Sequence, residues 1–179
     1  MRRYVVSNLG WRENVWYVAM TDEEWAQAQH LSTRRHDDAR EHGEDYSRRD
    51  PKRTPRDQYN DEQQNFLGRM AFCAATEIPF PEDGQIGIKP GDPRFGIEGR
   101  YVVHTVDADD RQLLIRPHEP EDRIYVLGQV LSDGVHVVLV GWSDGREHCD
   151  EFSWEPRPAW GGPPLWVIPR WQLHDMDKL

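Results

Sequence analysis

The side chains of this chain that can serve as nucleophile, proton carrier or metal ligand are two cysteines, eight histidines and 32 carboxylates, and their spacing limits the chemistry open to them. Cys73 and Cys149 form no CxxC-type pair, which fits a reducing compartment better than a disulfide scaffold. Cys73 lies in an apolar stripe of helical period and reads as a buried structural thiol rather than a nucleophile. The histidines contain no HExxH. His30, His36 and His42 recur every six residues, a step of about 600° on a helix, so consecutive ones do not share a face. His148-Cys149-Asp150-Glu151 sets four possible ligands in a row, but adjacent residues seldom hold one ion together, and no metal is expected there. There is no GxGxxG after a strand, no GxxxxGK[ST] and no GxSxG, so nucleotide cradles and serine elbows are unsupported.

Two other groups point to binding. Arg48, Arg49, Lys52, Arg53 and Arg56 make up the one basic cluster, inside a segment from 43 to 57 that also carries Pro51 and Pro55. Such a segment is expected to be a mobile, exposed loop; beyond plain solvation, it can reach a phosphate backbone or an acidic partner. Trp154 and Trp160 sit in a proline- and glycine-bearing stretch from 143 to 164. They are candidate anchors for a partner, because Trp and Arg dominate interface energies, unless the stretch folds back on a sheet.

The elements that must carry these residues are legible in outline. Asn14–Met20 is short, aromatic and β-branched, and predicts a strand. Thr21 and Glu24 form a capping box with acids at the positive helix end, so a helix is expected from about 22 to 41, its weakly apolar second half projecting into solvent. A second helix is expected from about 57 to 77, with Phe66, Met70, Cys73 and Ala74 on its buried stripe, ended by Pro79 and Pro81. Residues 81–99 read as a long irregular connection, the kind of segment that carries sites. Strands follow at 100–106, 112–117, 123–131, 135–142 and 165–168, with a hairpin signal at Ser132-Asp133-Gly134 and a last helical turn opened by Pro169. The order predicts an α+β domain spanning 1–179, with two N-terminal helices packed on one mostly antiparallel mixed sheet.

Composition narrows the class further. Apolar residues are 37% and charged residues 30%, yet 8 Trp, 6 Tyr and 5 Phe supply enough large side chains for a core. No apolar run approaches the roughly 18 residues of a membrane span, and Met1–Val6 is too polar for a signal peptide, so a cytoplasmic protein without membrane contact is expected. The net charge of −10 is uneven: residues 1–60 hold 11 Lys or Arg and 11 Asp or Glu, while 61–179 hold 11 and 21. A broadly basic nucleic-acid footprint is therefore absent, and any such contact must be local or bridged by a metal ion.

The run from Asp61 to Phe72 (DEQQNFLGRMAF) resembles the helix that opens a group of uncharacterised phage and prophage proteins with a nuclease-like core of the PD-(D/E)XK type. The likeness continues through Gly99–Thr105 (GRYVVHT), Leu114–Pro117 (LIRP), Asp122–Leu127 (DRIYVL), Val140-Gly141-Trp142, and Trp166–Pro169 with Leu173, and covers about Val15–Met176. The resemblance implies a restriction-endonuclease-like core in which a helix Glu, a strand Asp and an acid-x-Lys pair on the next strand hold Mg²⁺ and orient water. This chain departs at each position. Ala71 and Phe72 stand where the helix acid is expected, Phe95, Gly96 and Ile97 where the Asp is expected, and Val102-Val103-His104 where acid-x-Lys is expected.

Valine cannot bind a hard cation. The resemblance thus implies a catalytically degenerate nuclease fold, kept as a scaffold for binding a bacterial host protein or a nucleic acid, with no cofactor. Its rival is a Mg²⁺-dependent nuclease using the nearest carboxylates, Asp92 and Glu98, with His104 as base. A further alternative is an acidic surface that mimics DNA and occupies a DNA-binding enzyme.

Overall fold

The computed structural model describes residues 4–7, 14–41, 55–85, 88–106, 112–133, 135–150, 152–156 and 163–179; at 55–59 it describes the backbone alone. The chain order is β1 (Tyr4–Ser7), β2 (Val15–Ala19), α1 (Asp22–Glu41), α2 (Pro55–Thr76), β3 (Tyr101–Val106), β4 (Gln112–Ile115), β5 (Ile124–Val130), β6 (His136–Asp144), α3 (Gly145–His148), β7 (Trp154–Glu155) and β8 (Leu165–Pro169), followed by 3-10 turns at Arg170–Gln172 and Met176–Lys178. None of the helices among the described residues is long and apolar enough to cross a membrane.

The fold is α+β, but the strands divide into two sheets where the sequence predicts one. Five strands form a mixed sheet in the order β1-β2-β6-β5-β3, antiparallel except for the parallel β3/β5 pair. The stretches 112–115 and 165–169 leave that sheet and pair with each other and with β7 in a second sheet, ordered β4-β8-β7. The three layers follow from strict alternation along the strands. Trp16, Val18, Val103, Val126, Val137 and Leu139 face the helices and close one core with Phe66, Leu67, Met70, Phe72 and Cys73. Their neighbours Val15, Val102, Tyr125, Leu127, Val138 and Val140 face the other way and close a second core with Leu113, Ile115 and Ile168 of the second sheet. A strand buried on both faces reads as a continuous apolar run, as β5 and β6 do. In β6, Val140 is an extra residue between Leu139, opposite Gly128, and Gly141, opposite Leu127.

α2 lies across the five-stranded sheet, and α1 packs mainly against α2. The predicted capping box of α1 forms: the Thr21 hydroxyl accepts from the Glu24 amide at 3.2 Å, and the Glu24 carboxylate accepts from the Thr21 amide at 2.8 Å. The second half of α1 does not simply project into solvent, because Ala39 is buried. α2 starts earlier than expected, at Pro55, whose missing N–H costs nothing in a first turn; the predicted loop therefore loses 55–57 to the helix, and the rest of it lies outside the described residues. Its end is not made by the prolines. Glu77 takes a left-handed φ of 60° and the Ile78 amide reaches the Cys73 carbonyl at 3.1 Å, a Schellman closure that precedes Pro79. Gly68 allows the close approach of α2 to β3, since a Cβ there would overlap the Thr105 hydroxyl. β1 was not expected from sequence, and the stretch 143–164 contains α3 and β7 rather than loop alone.

Candidate functional site

β3 places the residues that the nuclease resemblance singles out. Alternation sends Val102 and His104 to the face covered by the second sheet, and Val103 to the helices. Val102 is buried in apolar surroundings. The His104 ring lies parallel to that of Tyr125 at 5.9 Å between centroids, and its Nε2 is 3.1 Å from Oε1 of Glu119. That short distance is not a well-aligned hydrogen bond: Nε2 is buried without a partner of good geometry, so the two groups meet as a close polar contact. Glu119 is itself buried, and its other oxygen accepts from the Arg116 amide at 2.7 Å. Burial alone would raise the Glu119 carboxyl, but the His104 charge and contact, with the Arg116 amide and charge, outweigh it and hold the carboxyl at about 2. Tyr125 donates to the Pro120 carbonyl at 2.6 Å, and burial together with the Glu119 charge pushes its phenol upward.

Asp92 and Glu98 belong to a different neighbourhood. In the connection after α2, the described residues 77–85 and 88–99 are densely turned, with Glu77, Gln85 and Glu98 as well as Gly84, Gly91, Gly96 and Gly99 at positive φ. It is fastened by Arg69 of α2, which donates to the Gly84 carbonyl at 2.8 Å and to Oε1 of Gln85 at 2.7 Å, while Gln85 donates to the Gly96 carbonyl at 2.7 Å. The Arg69 guanidinium lies 5.7 Å and 5.8 Å from the rings of Phe66 and Phe80, and burial lowers it to about 10 against the charges of Cys73 and Asp83. Asp92 is committed to Arg94, which donates from both Nε and Nη2 as well as its backbone amide; these bonds hold the Asp92 carboxyl at about 2. Glu98 is exposed on an open groove of about 400 Å³ with Asp83, Gln85 and Arg94. The stretch 95–97, where a strand acid is expected, forms turns leading to an isolated bridge between Ile97 and Tyr101. Asp92, Glu98 and His104 are not brought together, and among the described residues no three His, Cys, Asp or Glu side chains are grouped to hold a metal ion.

Neither thiol is activated. Burial pushes Cys73 up to about 12 against the opposing Arg69 charge, and burial with Glu121 and Glu119 pushes Cys149 up to about 12. Of the run 148–151, Glu151 lies outside the described residues; His148 Nδ1 meets the buried Ser143 hydroxyl at 2.7 Å, and Asp150 accepts from the Ser153 amide at 2.9 Å. Arg48, Arg49, Lys52, Arg53 and Trp160 lie outside the described residues, and Arg56 falls in α2. Trp154 is half-buried, packed edge-on against Trp166 at 5.0 Å, so this tryptophan does fold back on the sheet.

Sequence reasoning missed three residues. Glu119 had no signal beyond its charge, because its importance comes from a fold that buries it beside His104. Phe152 and Trp171 are the most exposed large apolar side chains described, at 91% and 75%, and nothing in their local pattern separates them from core aromatics. No family model, curated protein or solved structure matches the chain.

Proposed function

We propose that the chain is a phage- or prophage-type protein with a nuclease-like core whose catalytic positions have been lost, and that it acts in a bacterial cytoplasm as a binding module for a host protein or nucleic acid. The observation that carries this reading is the state of β3. Where an acid and a lysine would face a metal ion, Val102 is buried in a core and His104 is drawn to Glu119. On α2, Ala71 and Phe72, which stand where the helix acid is expected, are buried as well. Phosphodiester cleavage by this kind of site needs carboxylates to hold the cation that offsets repulsion between hydroxide and phosphate. Asp92 and Glu98 do not replace them, since one is tied to Arg94 and the other faces an open groove.

The test is incubation with single- and double-stranded DNA and RNA in Mg²⁺ or Mn²⁺. No metal-dependent cleavage is expected. Robust Mn²⁺-dependent cleavage that vanishes in Asp92→Ala or Glu98→Ala would overturn the reading and establish the nuclease in its place.

A further inference from the structure

We propose that β1 is a self-association edge: at high concentration it pairs antiparallel with β1 of a second copy of this chain and joins the two five-stranded sheets into one. The inference goes beyond the binding-module reading and does not need it.

The backbone offers the edge. β1 ends the order β1-β2-β6-β5-β3, so among the described residues β2 is its one strand neighbour and its outer side faces no strand. Natural sheets blunt such edges with charges, prolines or bulges. The run Tyr4-Val5-Val6-Ser7 has no charge and no proline, and its four pairs with β2 keep an unbroken register. The opposite edge of the sheet differs, because Asn65 of α2 accepts from the Thr105 amide of β3 at 3.3 Å.

The side chains extend the same argument to both faces. Alternation sets Tyr4 and Val6 beside Val18 and Trp16 on the helix face, and Val5 beside Tyr17 on the other. Val5 is 68% exposed and Val6 44%, so neither the helices nor the second sheet covers this edge. Scattered exposed apolar side chains are ordinary; two in succession on an outer strand leave both of its faces open. Tyr4 is already stacked on Trp16, with 4.2 Å between ring centroids, so one side of the edge is ordered before any pairing.

Register and charge select a second copy as the occupant. A two-fold axis at Val5 sets Val5 against its own copy and sets Tyr4 against Val6 of the other chain, twice. Pairs of an aromatic with a β-branched residue are among the favourable cross-strand pairs. That axis runs perpendicular to the sheet and keeps both helix layers on one side; a slip of one residue would put them on opposite sides. No charged side chain stands in β1 or β2. Residues 1–60 are balanced at 11 basic and 11 acidic, so the excess of negative charge lies in the rest of the chain. An edge of four residues is small for an interface, and the pair therefore separates on dilution.

The experiment is sedimentation velocity of the full chain from about 10 μM to about 1 mM, with variants of unchanged melting temperature. The weight-average sedimentation coefficient should rise from monomer toward dimer across that range. Val5→Lys/Val6→Lys should raise the dissociation constant at least about tenfold, while Phe152→Ser/Trp171→Ser, which removes the other exposed aromatics, should leave it unchanged. Oxidation in a Cys149→Ser background reads the register. Val5→Cys should cross-link to its copy at least about tenfold faster than Val6→Cys, whose copy lies diagonally across the axis. A chain that stays monomeric to the highest concentration overturns the proposal and leaves the edge to a strand of some other protein. Association that survives Val5→Lys/Val6→Lys, or that is lost in Phe152→Ser/Trp171→Ser, overturns it as well. Equal or reversed cross-linking rates overturn the register and with it the two-fold pairing.

Discussion

Glu119 is an ionised carboxylate kept inside an apolar layer by an imidazole and one backbone amide, and such a group is stable only while its partners remain. His104→Ala should cost about 2–3 kcal/mol in urea unfolding at pH 7, less than for a fully buried pair because the His104 side chain keeps 20% exposure. The acid dependence follows from the depressed carboxyl. Its stabilising contribution is complete above the unfolded value near 4.5 and is lost as pH falls toward about 2, where the folded form also takes up a proton. Glu119→Gln should keep the acceptor for the Arg116 amide and flatten the stability profile between pH 4.5 and 2. A profile as steep as that of the parent would show that other carboxylates govern acid unfolding. His104 was recognisable in the sequence as a position of interest, but Glu119 was not. A pairing between residues on a strand and on a turn beyond an intervening strand depends on how the sheets close, and no local spacing encodes that.

At the scale of elements, signals confined to a few neighbouring residues were readable and signals shared between sheets were not. The Thr21/Glu24 box, the Phe66/Met70/Cys73 stripe and the apolar runs of β5 and β6 state their structure locally. Leu113 and Ile115 announce one buried face, but either sheet would satisfy them, which is why β4 and β8 could not be assigned to a separate layer from sequence. The left-handed end of α2 at Glu77 was hidden because that position more often carries glycine. The α2/β3 contact lends itself to a paired test. Gly68→Ala should cost about 1–3 kcal/mol by driving a methyl into the Thr105 hydroxyl. That hydroxyl is buried without a hydrogen-bond partner, so Thr105→Ala alone should cost little. Thr105→Ala should also recover most of the Gly68→Ala loss, as read from thermal melts of the double variant; additive losses would show that the clash is with the backbone of β3 instead.

Across the whole molecule, the five-stranded sheet is covered on one face by helices and on the other by a second sheet, and its middle strands are the most enclosed. Amide hydrogen exchange should therefore be slowest in β5 and β6 and much faster in β1, where Val5 is 68% exposed. Equal protection of β1 and β5 would mean that β1 is covered in solution. The same sheet order has a kinetic side. β2 finds its inner neighbour only at β6, with both helices and three strands passing between them in the chain, and Trp16 donates its indole hydrogen to Asp177, 161 residues away. A chain whose second strand must wait for so distant a partner closes its largest loop before that contact rewards it, and its refolding belongs to the slow, millisecond-to-second range rather than the microsecond range of helical bundles.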